Sequence, residues 1–377
     1  MDLVITILIL LSTVIFFLII YLRVTNKKHD AVLRPVKQKV EDVFHGTDLP
    51  VHLYIAVCDY FQPFSGNASQ EIAEHRVVTW CKEYSRLAKI HTDSSGKFPV
   101  HSLFYSEEDY NPQLLDKLYR LYKENLTDIE IMLSEANEPP DRFRRKLEEF
   151  RDVLFHHHGY LRKGADEKIC YGFSYDIKLP YAHTTEHHIR NTYNRSKILI
   201  DTGCFADFTC YSNRHIKKKF TNFNSKIHSK NETRTESPSS ILPQDWTIKN
   251  LLTIQDPGVF KWNTGTLRIF PFFENGEISA IKKFLPFRAN LWLQNCIGIE
   301  TQVKHLFVKL HTFGGLDQNI RYLFGEHGLH QMWDYIEKLC SSNNFVLHYV
   351  SAWEMFTSIT SICRGNALGN RKTITTL

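Results

Sequence analysis

Two polar residues at the ends of predicted strands are the strongest candidates for chemistry. Asp59 follows the apolar run 51–58, and His311 follows the apolar run 306–310. In parallel βα architectures the carboxyl ends of the strands meet at one mouth, so we expect Asp59 and His311 to face the same opening. A carboxylate and an imidazole side by side can perform acid–base catalysis or hold a metal ion.

Three further polar residues end neighbouring strands and are candidates for ligand binding. Glu135 follows the predicted strand 129–133, and Tyr175 and Asp176 end the predicted strand that begins at residue 169. The first of these strands ends without a histidine. The strand ends therefore offer oxygen ligands but few imidazoles.

Histidines with metal-ligand spacing occur elsewhere. His183 and His187 are four residues apart, which places two imidazoles on one face of a helix. The competing interpretation, which we favour, is the solvated start of a helix, where polar residues are common. His156, His157 and His158 end another predicted helix, where the helix dipole favours imidazolium, so we assign them a structural role.

The elements that must position these residues alternate between strand and helix patterns, which predicts βα units around a mostly parallel sheet. Prolines 139 and 140 precede apolar residues at three- and four-residue spacing, which predicts a helix. Asn275-Gly276 predicts the turn of a β-hairpin between residues 262 and 286. One barrel-like α/β domain is the simplest solution. Its predicted strands are 51–58, 100–105, 129–133, 169–175, 205–209, 306–310 and 345–350.

The same motifs resemble the polysaccharide deacetylases of the NodB-homology type, within them a bacterial subgroup of deacetylase-like proteins. The resemblance is carried in order by residues 52–59 with Pro63, 98–105, 158–161, 202–209, 307–312 and 347–351. It implies an irregular (β/α) barrel of the polysaccharide deacetylase type. Members of the family remove acetyl groups from N-acetylated sugars with a divalent metal held by one Asp and two His residues.

By this resemblance, Asp59 matches the carboxylate of the first motif and His311 the late histidine. The metal histidines do not carry over, because Met132, Ser134 and Glu135 stand at the third strand, and Tyr175 and Asp176 at the fourth. The resemblance therefore implies a deacetylase-like protein with a lost or impaired metal site and no metal cofactor, acting in glycan or partner binding. The alternatives are an active zinc-dependent deacetylase, with His183 and His187 as possible ligands, and a membrane-tethered scaffold.

The N-terminal segment predicts membrane attachment. Residues 3–22 carry no charge, and as a helix they are long enough to span a bilayer. Six basic residues between 23 and 39 follow the span, which favours a cytoplasmic domain and contact with anionic lipids. The formal net charge of +5 comes largely from this cluster, and no nucleic-acid-binding signature accompanies it.

The predicted organisation follows from these segments. Residues 1–24 form the transmembrane anchor, 25–49 a basic linker, 50–365 the deacetylase-like domain and 366–377 a tail. A polar stretch at about 211–241, rich in Ser, Asn, Thr and Lys, is expected to be a mobile loop.

Overall fold

A ten-stranded, mostly parallel sheet organises the chain. The computed structural model describes residues 51–134, 138–164, 166–176, 195–210, 251–262, 271–300 and 303–372. Its strands are β1 (Val51–Phe61), β2 (His101–Ser106), β3 (Thr127–Ser134), β4 (Arg162–Lys163), β5 (Ile169–Asp176), β6 (Cys204–Asp207), β7 (Leu252–Thr253), β10 (Ile297–Glu300), β11 (Lys304–Thr312) and β12 (Phe345–Tyr349). They are arranged in the order β10-β11-β1-β2-β3-β5-β6-β7, with β12 also paired to β1 and β4 to β5.

The described residues also form a separate two-stranded hairpin, seven α-helices with defined bounds and a short 3-10 helix, Glu107–Asp109. The hairpin consists of β8 (Val259–Trp262) and β9 (Pro271–Glu274). The helices are α1 (Gln70–Ala88), α2 (Pro112–Lys123), α3 (Pro140–Asp152), α4 (Pro286–Gln294), α5 (Asp317–Ile320), α6 (Gly328–Ser342) and α7 (Ala352–Lys372). A π-helical turn, Val153–His157, extends α3, and another, Arg321–Gly325, extends α5.

From Ile55 onward, the central strand β1 is buried on both faces, as expected for a strand inside a parallel sheet. One edge of β1 pairs with β11 from Val51 to Asp59. The other edge is shared, because β12 pairs with its first half and β2 with its second half. The first strand of the domain is therefore joined to the last.

The two faces of the sheet have different neighbours. On the inner face, Cys58 and Tyr60 of β1 belong to a core that includes Met355 and Ile359 of α7. On the outer face, Phe61 of β1 contacts Trp80 of α1. The sheet thus curls as a half-barrel around α7, while α1 covers its outer side.

The coarse fold prediction is confirmed: the protein is α/β, with parallel strands curled as a half-barrel. Each of the seven predicted strands falls on an observed strand, and the helix predicted after the two prolines is α3. The predicted position of the hairpin turn is wrong. Asn275-Gly276 follows the second strand of the hairpin, because the Glu274 carboxylate accepts hydrogen bonds from both backbone N–H groups and ends the strand there.

Several predictions lie outside the described residues. These are the anchor and basic linker within 1–50, the polar loop at 211–241 and residues 373–377 of the C-terminal tail. The preceding residues of the predicted tail, 366–372, belong to α7. Within the described ranges, no helix combines the length and the apolar character needed to cross a bilayer.

Candidate functional site

Asp59 and His311 lie near the same end of the sheet but on opposite faces. In the parallel pairing of β1 with β11, Asp59 is opposite Thr312, and His311 is opposite Cys58. Because side chains alternate between the faces of a strand, Asp59 shares the outer face with Thr312, and His311 shares the inner face with Cys58. The structure therefore does not bring these two predicted residues together.

The Asp59 carboxylate holds the chain that follows β11. It is fully buried and accepts a hydrogen bond from the Thr312 hydroxyl and others from the Gly314 N–H, with N–O distances of 2.8 and 2.9 Å. The Nε2 atom of His101 lies 3.0 Å from the Thr312 hydroxyl. A Cβ atom at Gly314 would overlap the Asp59 carboxylate, so only glycine allows this approach. These contacts assign Asp59 a structural role.

The remaining predicted residues are dispersed. Asp176 lies on the same face of the sheet as Met132, and its carboxylate accepts a 2.7 Å hydrogen bond from the Gln62 side chain. The Tyr175 ring lies on the other face, stacked on Phe143 of α3. Glu135, His183 and His187 lie outside the described residues.

A buried polar cluster surrounds His311 on the inner face. The Nδ1 atom of His311 lies 3.0 Å from one carboxylate oxygen of Asp256, and the ammonium of Lys309 lies 3.2 Å from the other. The Sγ atom of Cys210 lies 3.9 Å from Nε2 of His311. Lys309 also donates to the backbone carbonyl of Phe208, which accepts a second hydrogen bond from the Tyr60 hydroxyl at 3.0 Å. We call Cys210, Asp256, Lys309 and His311 the inner cluster.

Three strands position the inner cluster: β6 and β7, which pair with each other, and β11, which lies toward the other end of the sheet order. Lys309 and His311 alternate with Leu310 on β11, so both point inward. Cys210 and Asp256 each stand three residues after a strand, β6 and β7 respectively. The segment after β9 covers this end of β11, because the Gly276 carbonyl accepts from the His311 N–H and the Ile278 N–H donates to the His311 carbonyl. Gly276 has a φ of +71°, which favours glycine.

Sequence reasoning identified His311 but missed the rest of the inner cluster. The strand β7 has only two residues, too few for a visible alternating pattern, so Asp256 was not recognised as a residue at a strand end. Lys309 stands inside an apolar strand, and an isolated buried lysine is itself a signal, because ammonium groups are rarely buried without a partner.

The charges of Asp256 and Lys309 balance each other within the inner cluster. Burial raises the pKa of Asp256, but Lys309 and His311 lower it by more. The result is a pKa of about 2. Burial opposes the charge of Lys309, but Asp256 and the neighbouring thiols raise its pKa, so it stays an ammonium. Burial raises the pKa of Cys210, which remains a thiol. Since the Asp256 carboxylate can only accept, Nδ1 of His311 carries a proton and donates it to this hydrogen bond.

The ligand types of the inner cluster suit a zinc ion, but its charge does not. Cys210, Asp256 and His311 each offer a ligand atom, and these atoms lie within 4.8 Å of one another. Tetrahedral zinc with such ligands separates them by about 3.3–3.6 Å. The Lys309 ammonium, however, already occupies one carboxylate oxygen and would repel a divalent cation. The residues therefore fit a metal only if Lys309 moves or loses its proton.

Comparisons with known proteins add little. No family model matches the sequence, and no curated protein is detectably similar to it. Among solved structures, the 4-alpha-glucanotransferase from Thermococcus litoralis aligns with a TM-score of 0.40 at 10% identity. The alignment covers 82% of this chain but 40% of the glucanotransferase, so the chain spans less than half of that protein's length.

Proposed function

We propose that this chain is a membrane-anchored, polysaccharide deacetylase-like protein that binds an N-acetylated glycan without metal-dependent hydrolysis. The observation that carries the proposal is the position of Asp59. The carboxylate matched to the first motif of that family lies on the opposite face of the sheet from His311. Both of its oxygens accept hydrogen bonds from Gly314, and one also accepts from Thr312.

The inner face supplies groups suited to binding a sugar. Asp176 ends β5 on this face, and its carboxylate already accepts a hydrogen bond from the amide of Gln62. Both side chains are buried, and a sugar hydroxyl that replaces their mutual contact would find an acceptor in the Asp176 carboxylate and in the side-chain carbonyl of Gln62. A few well-placed polar groups at the rim of a concave face are typical of small-molecule sites.

A second candidate is an active metal-dependent deacetylase that uses the inner cluster. It is favoured by the convergence of Cys210, Asp256 and His311 on one point. A bound metal would supply Lewis-acid polarisation of the amide carbonyl and an activated water. In this candidate, Lys309 would stabilise negative charge that develops on the substrate oxygen.

Two measurements on the full-length chain in detergent test the proposal. The first is binding of N-acetylglucosamine oligomers, with deacetylated glucosamine oligomers as the comparison ligand. We expect Asp176→Asn to weaken binding by about tenfold, equal to about 1.4 kcal/mol. The matched control, Asp166→Asn, changes an exposed carboxylate in the turn between β4 and β5 and should leave binding unchanged. Unchanged affinity in Asp176→Asn, or no binding of either oligomer, would contradict the proposal.

The second measurement is metal content after dialysis, followed by acetate release with and without added zinc. We expect less than one equivalent of metal in the inner cluster and no acetate release. Metal-stimulated acetate release that disappears in Cys210→Ser and persists in Cys81→Ser would establish the second candidate instead. Cys81 is a suitable control because it lies on α1, away from the inner face.

A further inference from the structure

Three side chains of the inner cluster are linked through the two nitrogens of one imidazole ring. The Sγ atom of Cys210 lies 3.9 Å from Nε2 of His311. On the other side of the ring, Nδ1 of His311 lies 3.0 Å from a carboxylate oxygen of Asp256. A thiol, an imidazole and a carboxylate in this order form the arrangement in which a base activates a nucleophile and a third group orients the base.

Asp256 determines which nitrogen of His311 can act as the base. Because Nδ1 donates to the carboxylate, the lone pair of a neutral His311 is on Nε2, the nitrogen that faces the thiol. The second oxygen of Asp256 lies 3.2 Å from the Lys309 ammonium, so both oxygens have a donor. The carboxylate is thereby fixed in position, and its charge stabilises the imidazolium that forms when His311 takes a proton.

The Cys210 thiol needs such a base. Burial raises its pKa, and Lys309 opposes that rise only in part, so the thiolate forms when another group removes the proton. The separation of 3.9 Å between Sγ and Nε2 is longer than proton transfer requires, as is common before a substrate is bound. Cys210 keeps 8% of its surface exposed, whereas Cys58 on the same face is fully buried. Of these two thiols, a substrate can therefore reach Cys210.

We propose that Cys210, His311 and Asp256 form a thiol-dependent site that hydrolyses small carboxylic esters without a metal ion. The Sγ atom attacks the ester carbonyl carbon while Nε2 of His311 takes the thiol proton, and the carbonyl electron pair moves onto its oxygen. When that pair returns, the ester C–O bond breaks, Nε2 protonates the departing alcohol, and a thioester on Cys210 remains. Water then attacks the thioester and gives its proton to Nε2. The departing Sγ recovers this proton, which releases a carboxylic acid and restores the thiol.

Esters are the substrate class that the charges of the inner cluster suit. The Lys309 ammonium is already paired with Asp256, so it stabilises a developing oxyanion only in part. An ester carbonyl is more electrophilic than an amide carbonyl, and an alcohol leaves more readily than an amine, so esters require less stabilisation. The proposal goes beyond glycan binding at Asp176 and does not depend on it.

Alkylation of the full-length chain in detergent tests the nucleophile. Limiting iodoacetamide is added in the presence of a chelator, and the labelled peptides are identified by mass spectrometry. We expect Cys210 to be alkylated before Cys81, although Cys81 is the less buried thiol. The variant His311→Gln should reverse this order, because it removes the base. Alkylation of Cys81 first in the unchanged protein would overturn the proposal.

Ester hydrolysis tests the reaction, with p-nitrophenyl acetate as the probe and the chelator still present. Cys210→Ala should lower kcat/KM by at least about 100-fold, the size expected when the nucleophile and its base no longer act together. Cys81→Ala is the matched control on α1 and should hydrolyse the probe as the unchanged protein does. Acid quenching should trap an acetyl group on Cys210.

Two results would contradict this assignment. The first is an unchanged rate in Cys210→Ala, and the second is hydrolysis that the chelator abolishes, which would assign the reaction to a metal ion. Circular dichroism confirms that each variant is folded.

Discussion

The buried carboxylate of Asp59 holds the neighbouring chain in place by accepting hydrogen bonds from it. Gly314 and Thr312 donate to it, and the Trp80 ring N–H donates to the Gly314 carbonyl. These contacts fix the turn after β11 against α1. Removing the carboxylate would leave a buried N–H and a buried hydroxyl without their acceptor, which is more costly than losing an exposed contact.

At the residue scale, we predict that Asp59→Ala lowers the free energy of unfolding by about 3 kcal/mol. The comparison is Asp116→Ala, whose carboxylate is 71% exposed and pairs with His158. This control should change stability by less than about 0.5 kcal/mol, as exposed pairs contribute little. Urea unfolding followed by circular dichroism measures both. Equal stability of the two variants would show that Asp59 is free for another role.

Residue type and strand position were readable from the sequence, but the face was not. Asp59 and His311 were identified as polar residues at strand ends, and both lie there. Which face each occupies depends on the register between β1 and β11, and a shift of one residue reverses every side chain. Because those strands are about 250 residues apart in the chain, no local pattern reveals the register.

At the scale of elements, a turn between α1 and β2 is fastened to the last strand. One oxygen of Asp93 accepts hydrogen bonds from Ser95 and Lys97, and its other oxygen accepts from the Tyr349 N–H of β12 at 3.2 Å. Burial raises the pKa of Asp93, but these hydrogen bonds lower it below its ordinary value of 3.8. The ionised carboxylate therefore joins the turn to β12.

This arrangement predicts a pH dependence of stability. Since the pKa of Asp93 is lower in the folded state, its contribution is complete well above pH 3.8 and is lost as the pH falls through the folded pKa. At pH 7, Asp93→Asn should lower the free energy of unfolding by about 1–2 kcal/mol, and the difference should shrink toward pH 3. Asp334→Asn is the matched control. The pKa of Asp334 is also lowered, by a hydrogen bond from Lys338, but this carboxylate lies at the surface and joins no other element. Urea unfolding from pH 3 to 7 measures both; a difference that is constant with pH would refute the assignment.

Elements with strong local patterns were the predictable ones. The buried strands and the proline-initiated α3 were found because their apolar periods extend over many residues. The two-residue strands β4 and β7 were not, since they are defined by pairing with β5 and β6 and are too short for a pattern of their own. The true position of the hairpin turn was not either, since Glu274 ends β9 and is held by Arg288, 14 residues further along the chain. The same limit hid Asp256 and with it the inner cluster.

At the scale of the whole molecule, the predicted anchor determines which compartment the half-barrel occupies. The basic residues after the apolar span predict a cytoplasmic domain. All eight cysteines are free thiols, as is usual in a reducing compartment.

We therefore expect protease added outside intact cells or spheroplasts to leave the domain uncut, and cleavage to begin after detergent permeabilisation. Replacing the six basic residues between 23 and 39 with glutamine should increase the fraction that is digested from outside. Digestion of the unchanged chain from outside would overturn the orientation.

The shared edge of β1 has a consequence for synthesis on the ribosome. The strand β1 is the first of the domain to emerge, yet its partners β11 and β12 lie near the C-terminal end of the domain. At 5–20 residues per second, the roughly 240–280 intervening residues take about 12–56 s to appear. During that interval both edges of an eleven-residue apolar strand lack the partners that arrive last. Nascent chains held by the proposed anchor would then wait beside the membrane with an aggregation-prone strand, which makes β1 the segment where a chaperone has most to protect.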